Sequence, residues 1–238
     1  MAIWNPWHGC HKISAGCLNC YMYRRDAQFE KDSTIVTKTS TFDLPIRRKK
    51  DGSYRLQEDG YVYVCMTSDF FVEEADEWRA EVWEMIRQRP DLRFFIITKR
   101  IDRFRVNLPD DWGDGYDHVT VCSTCENQQT ADYRLPIFLD LPIKHRQIIH
   151  EPMLEEIHIE RYLASGKIDG VVCGGESGPD ARICCYDWIL ATRAQCVEYG
   201  VPFHFKQTGA KFMKNGKVYA IKRSLQIPQA RKANINTD

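Results

Sequence analysis

Six short apolar runs recur along the chain, at residues 61–67, 94–98, 118–122, 147–150, 170–173 and 202–205. This rhythm limits the fold more than any other feature. The runs are rich in β-branched and aromatic residues and are mostly apolar on both faces, as strands buried in a parallel sheet are. Residues 3–7 offer a further candidate at the start. Helical stretches lie between them. The best covers 73–89, with Ala75, Trp78, Val82, Met85 and Ile86 at helical spacing and Pro90 beyond its end. The next covers 186–199 and is stopped by Gly200 and Pro202. Repeated βα units predict a parallel sheet with right-handed crossovers. Their number predicts an α/β fold, a partial (βα)6-7 TIM-like barrel. A doubly wound open sheet is the alternative.

Two segments break the rhythm. Residues 37–60 contain Pro45, the basic run Arg47-Arg-Lys-Lys50, Asp51-Gly52 and Asp59-Gly60, and read as an inserted loop or hairpin. Residues 206–238 hold eight Lys or Arg against one acid, with a turn signal at Asn215-Gly216. The expected organisation is a barrel over 1–205 carrying the insertion at about 37–60, then a basic extension over 206–238 packed on it. The whole chain has 33 basic and 33 acidic side chains, so the +7 of the extension is balanced by −7 elsewhere. Such a segment suits nucleic acid or an anionic cofactor, or is a solvated surface. No apolar run approaches the roughly 18–20 residues of a membrane span. The start, Met1 to Trp7, lacks the basic and apolar regions of a signal peptide, so a cytoplasmic protein with no membrane partner is expected.

Polar residues gather where the strand runs stop. Ser68 and Asp69 follow the first, Lys99 and Arg100 the second, Ser123, Glu126 and Asn127 the third, and Glu151 the fourth. Gly174-Gly-Glu-Ser-Gly178 follows the fifth, and Lys206-Gln207 the last. In a parallel α/β fold these map to the C-terminal rim of the sheet, where ligands bind.

Cys10, Cys17 and Cys20 have the spacing C-x6-C-x2-C in a short loop, with Gly9 and Gly16 allowing close wrapping. Three thiolates in a tight loop suit a soft metal or an iron–sulfur cluster. The favoured reading is a 4Fe-4S cluster with one iron left open to an exogenous ligand. Structural zinc, with His8 or His11 as fourth ligand, and plain core packing stay open. Cys122 and Cys125 form an unmatched C-x2-C that reads as packing. Cys184 and Cys185 are adjacent and open to redox chemistry, and Cys65, Cys173 and Cys196 read as core.

A three-cysteine loop after a first strand, followed by repeated βα units, resembles the radical S-adenosylmethionine (SAM) superfamily. The spacing departs from its commonest C-x3-C-x2-C, and Asn19 stands where an aromatic often precedes the last cysteine. The chain is more similar to one short family within it, of phage and bacterial three-cysteine proteins with traits of spore photoproduct lyase. The motifs that carry this are Trp4-Asn-Pro-Trp-His-Gly-Cys10, Ser14-Ala-Gly-Cys-Leu-Asn-Cys-Tyr21, Met66-Thr-Ser-Asp-Phe70 and Ile97-Thr-Lys-Arg100. They continue with Glu126-Asn127, Glu151-Pro152, Gly174-Gly-Glu-Ser-Gly178 with Ala181-Arg182, and Phe205-Lys-Gln-Thr-Gly209. Inside the family the likeness is greatest to the queuine lyases, partly through the insertion Arg47-Arg-Lys-Lys-Asp-Gly-Ser-Tyr54.

The resemblance implies that Cys10, Cys17 and Cys20 hold the cluster, that SAM chelates its open iron, and that an external donor supplies one electron. It implies SAM contacts from Ser68 and Asp69 to the amino group, Lys99 to the carboxylate, Ser123 and Glu126 to the ribose, and Tyr21 near the adenine. The implied substrate is a queuine-like modified base, whose 7-deazaguanine ring offers adjacent N–H donors that a carboxylate can accept side by side. Glu151 and Glu176 are the candidates, with Lys206, Gln207 and Arg182 toward O6 or the diol, and Trp7, His8 and Phe70 as walls. Glu151, Glu176 and Lys206 are also the catalytic candidates. Either carboxylate could instead sit in a rim salt bridge with Arg182 or Lys206. The implied reaction breaks the carbon–nitrogen bond of queuine to release 7-aminomethyl-7-deazaguanine. Two other readings compete: a radical SAM enzyme acting on DNA or RNA, and a zinc-binding nucleic-acid adaptor without catalysis.

Overall fold

The structure is a computed structural model and describes residues 2–238. Seven strands form a parallel sheet in the order β1 (Ala2–Trp4), β4 (Tyr61–Val64), β5 (Arg93–Thr98), β6 (Val119–Thr124), β7 (His145–His150), β8 (Gly170–Gly174) and β10 (Phe203–Gln207). Their order along the sheet never reverses the order of the chain. A doubly wound sheet requires such a reversal, so that alternative falls. The α/β architecture is compatible with a partial barrel. The chain divides into two compact units, Met1–His11, Arg25–Cys122 and Leu141–His145 in one, Lys12–Arg24, Ser123–Asp140 and Arg146–Asp238 in the other.

In the first unit β4 lies between β1 and β5, parallel to both, with Val62 opposite Phe94 and Val64 opposite Ile96. These four side chains are fully buried, as two-faced apolar strands require. The expected strand over 3–7 divides instead. Pro6 has no N–H to give a ladder, and beyond it β2 (Trp7–His8) pairs antiparallel with β3 (Thr37–Lys38). The helix expected over 73–89 starts as a 3-10 turn (Glu73–Ala75) and continues as α2 (Asp76–Arg87). Its first residues, Glu73, Glu74, Asp76 and Glu77, place negative charge at the positive end of the helix dipole.

The insertion over 37–60 is short-ranged in structure: β3, a 3-10 turn at Leu44–Ile46, and an antiparallel bridge from Arg48 to Tyr54 around Gly52. Arg89 pins it. That buried guanidinium donates to the carbonyl oxygens of Pro45 and, at 2.9 Å, of Leu56.

In the second unit β8 runs parallel to β7 and to β10. Helices α3 (Gln128–Asp140), α4 (Glu160–Leu163) and α5 (Tyr186–Glu198) follow β6, β7 and β9 (Ile183–Cys185). The helix expected over 186–199 is α5, and Gly200 beyond it takes a left-handed φ of +65°. Between β10 and the C-terminus lie a hairpin, β11 (Lys211–Lys214) and β12 (Lys217–Ala220), and helix α6 (Arg223–Ala233). The hairpin turns at Asn215 and Gly216, both with positive φ, the geometry that an Asn-Gly signal predicts. β9 adds to β11 in parallel, making a second, three-stranded sheet.

Candidate functional site

In the first unit the start of the cysteine loop is fixed by glycine geometry and backbone bonds. Gly9 has φ +100°, and a Cβ there would lie 2.3 Å from the carbonyl oxygen of Ile35, so only glycine fits. Its amide donates to Thr67 O, its carbonyl accepts the Ser68 hydroxyl at 2.5 Å, and the Cys10 amide donates to Ser33 O. Arg100, buried at the end of β5, donates to Cys10 Sγ at 3.4 Å and to His11 O at 2.8 Å. A cation donating to sulfur is complementary to thiolate character.

Asp69 organises the rim between β4 and β5. Its Oδ1 accepts from the Thr98 hydroxyl (2.7 Å) and the Phe71 amide (3.0 Å), and its Oδ2 accepts from the Lys99 amide (2.9 Å) beside the Arg100 guanidinium (3.5 Å). A carboxylate so engaged has little left for a ligand's amino group. Ser68 and Asp69 therefore position Gly9 and Lys99 here rather than present free acceptors. Lys99 differs: its half-buried ammonium makes no hydrogen bond or ion pair among the described residues.

The expected ring walls need correction. Trp7 and Phe70 are fully buried, packed on each other at 5.6 Å, with the Trp7 indole donating to Asp69 O. They are core, because both project into the aromatic cluster that includes Trp78, Trp83 and Phe71. His8 stays half-buried, its Nε2 2.8 Å from Asp26, which also accepts the Ser33 hydroxyl. His11 contacts Glu74. Both candidates for a fourth zinc ligand are thus engaged with carboxylates.

In the second unit two buried carboxylates hold the rest of the loop. Glu126, at the end of β6, has no exposed surface. One oxygen accepts the Gly16 amide (3.1 Å) and the other the Arg134 guanidinium (2.7 Å). It is spent on the loop and on α3, so the expected ribose contact is replaced by a positioning one. Ser123 is likewise sealed, its hydroxyl without a partner among the described residues.

Glu176 accepts from Arg182 through Nε, Nη2 and the backbone amide, at 3.0, 2.6 and 2.9 Å, and from Asn19 Nδ2 at 3.1 Å. Asn19 also donates to Asp180 O, and Arg24 to Ser177 O. Burial alone would raise the Glu176 carboxyl, but the Arg182 and Asn19 donors outweigh it and hold it below its ordinary value. Of its two expected roles the salt bridge is the one formed. Asn19 does the tethering from the loop side. Tyr21 opens α1 (Tyr21–Ala27) and is 44% exposed.

Glu151, at the end of β7, is less committed. Its oxygens accept from Lys206 Nζ at 2.6 Å and from Gln207 Nε2 at 2.5 Å, and the Gln207 oxygen accepts from Arg223. Glu151 and Lys206 are both half-buried. This cluster brings a carboxylate, an ammonium and an amide together at one strand end. A Cβ on Gly174 would sit 3.0 Å from Glu151 Oε1, so the bare glycine leaves the carboxylate room.

The ten cysteines sort by exposure. Cys10, Cys17 and Cys20 are half-exposed, the other seven are buried, and none forms a disulfide. Burial pushes the thiols of Cys65, Cys122 and Cys173 well up, and those of Cys184 and Cys196 up to about 12. Buried thiols kept in the neutral form are poor nucleophiles, which weighs against the redox reading of Cys184. Cys122 and Cys125 are core, as the setting of Cys122 in the apolar third run implied.

The chain's sequence matches, over residues 1–233, a family model described as a protein of unknown function (DUF5131). The chain belongs to the DUF5131 family. No curated protein matches it, and no solved structure does. For this DUF5131 protein, fit to a metal therefore rests on the donors. Among the described residues no three His, Cys, Asp or Glu side chains are gathered as a metal-holding group. What the loop offers a metal is its donor type: Cys10, Cys17 and Cys20 are the three cysteines of the ten that are not buried. Arg134 escapes a reading of the sequence, which places Arg100 on the rim and Asn19 in the loop but not their roles, because these arise only from tertiary contacts.

Proposed function

We propose that this chain is a radical SAM lyase that breaks the carbon–nitrogen bond of queuine and releases 7-aminomethyl-7-deazaguanine. The observation that carries the reading is the exposure of Cys10, Cys17 and Cys20 in a chain that buries its other seven cysteines. These three would hold a 4Fe-4S cluster. With SAM bound and one electron delivered by an external donor, the group would supply a 5′-deoxyadenosyl radical.

The chain's own residues bind and orient. Lys99, with its ammonium unengaged, takes the SAM carboxylate as a compact charge. Asp69 and Arg100 fix the backbone around it, and Arg100 also steadies Cys10. Tyr21 is accessible to an adenine ring. Glu151 reads the base: its carboxylate accepts the two adjacent N–H groups, exchanging its bonds from Lys206 and Gln207 for those of the substrate. Lys206 and Gln207 then turn their donors to O6 or the diol, and Lys206 keeps a proton on Nζ beside the bond that breaks. Glu176 and Arg182 keep the loop seated and touch no reacting atom.

The test is an anaerobic reaction of reconstituted protein with SAM, a strong reductant and queuine, read by mass spectrometry. Both 5′-deoxyadenosine and 7-aminomethyl-7-deazaguanine should form, and neither with Cys17→Ala. Deoxyadenosine without the base product would overturn the substrate. Neither product from protein with a verified cluster would overturn the radical chemistry.

A further inference from the structure

Beyond Lys206 and Gln207 the basic extension plays no part in that chemistry, and its arrangement has a use of its own. Of its eight cations, Lys206 is paired with Glu151 and Arg223 donates to Gln207 and Gln226. The other six, Lys211, Lys214, Lys217, Lys222, Arg231 and Lys232, are exposed and pair with no carboxylate among the described residues. They stand on β11, β12 and α6, and on the turns that join them. The remainder of the chain carries −7, so this is a local field and not a general basicity.

A pocket of about 450 Å³ opens on the same elements, with two of these cations in its lining. Its walls include Tyr186, Phe205, Phe212 and Tyr219, with Lys214 and Lys232 beside them. Phe205 and Phe212 are buried and stack on each other at 5.9 Å and 24° as its floor, and Tyr186 meets Phe212 edge-on at 5.8 Å. Lys214 already lies over the Tyr186 ring, at 4.6 Å. Tyr219 is 42% exposed on a strand whose four residues all face solvent. A core would bury such a ring, and a merely solvated hairpin needs no ring-lined pocket.

We propose that this pocket and the six cations bind single-stranded nucleic acid, one base stacking on the exposed Tyr219 ring above the buried phenylalanine floor while the lysines follow the phosphates. Unpaired cations gathered on one segment neutralise a phosphate backbone, and an exposed aromatic face stacks on any unpaired base. A duplex hides its base faces and leaves the pocket without a ligand. The inference does not rest on the chemistry proposed for the cysteine loop.

Fluorescence anisotropy of the full chain with labelled RNA and DNA strands of about 15 nucleotides tests it. At least one strand should bind, more tightly than a duplex of the same length. With about 0.7 of a counterion released per neutralised phosphate, the slope of log K on log salt should approach about −4 if all six cations engage. Tyr219→Ala should weaken binding about tenfold with the slope unchanged, and Tyr219→Phe should restore it. The triple variant Lys214→Glu, Lys217→Glu, Lys232→Glu should flatten the slope. Cys17→Ala should bind as the parent does, so loss of lyase activity and loss of strand binding are read separately. No binding of either strand at low salt, equal affinity for duplex, or a Tyr219→Ala variant that binds like the parent would overturn the proposal.

Discussion

Glu176 and His150 show how single residues couple this fold to pH. His150 is fully buried and its Nδ1 donates to Cys125 O at 2.6 Å, while Nε2 has no partner among the described residues. Burial lowers its pKa from 6.5 to about 4, because the charged ring would lose its water. Between those values the unfolded chain takes a proton that the folded chain refuses, so stability falls as pH drops through that window, by up to about 3 kcal/mol. The Glu176 carboxyl is also depressed, from an ordinary value of 4.5. Its contribution is complete above 4.5 and is lost only below it. Urea titrations across pH should therefore show two separable losses. His150→Gln should remove the His150 share of the loss between 6.5 and 4, leaving that of His204, whose pKa burial also lowers, and leave the lower one. Arg182→Ala should cost about 3 kcal/mol at neutral pH, by stranding a buried carboxylate, and the cost should shrink below pH 4.5 as Glu176 is protonated. Gly9→Ala is the harshest small change in the loop. It combines a positive φ with a clash on Ile35 O and should cost about 1–3 kcal/mol, read as a lower Tm and less bound iron after reconstitution.

At the scale of elements, the cysteine loop and α3 are held by one buried pair. Arg134 donates to Glu126 and to Thr124 O, and Glu126 accepts Gly16. Arg134→Leu leaves a carboxylate charged and buried, and should cost about 3–5 kcal/mol. Glu126→Gln keeps an acceptor for Gly16 and should cost less. The double variant should cost less than the two single changes added, since no charge remains to be stranded. A double-mutant cycle by urea unfolding reads all three. None of this pairing was visible in the chain alone. The strands of the main sheet were, because a run such as Phe94-Phe-Ile-Ile can satisfy both of its faces only inside a sheet. Helix α3 was not seen, since Pro136 interrupts its pattern and its apolar residues form no clear stripe. β9 was missed because three residues gain their pairing only from β11, far along the chain. The rim positions were legible by their place after each strand, but which carboxylate was spent on a neighbour and which left open was not. Glu151 and Glu176 look alike in sequence and differ only in the number of donors that fold onto them.

For the whole molecule, the chain crosses between its two compact units five times, and two of the boundaries fall inside strands, at 122/123 in β6 and 145/146 in β7. A strand cannot be half folded without losing the ladder bonds on both sides. Neither unit is then a segment that a single cut could release, and the two should unfold together. Tryptophan placement makes this measurable. Trp4, Trp7, Trp78, Trp83 and Trp112 belong to the first unit and Trp188 to the second, so fluorescence follows mainly the first. Far-ultraviolet circular dichroism follows helices in both, including α3 and α5 of the second. In urea the two signals should trace one transition with a common midpoint and slope. A fluorescence midpoint apart from the dichroism midpoint would mean that the units melt separately.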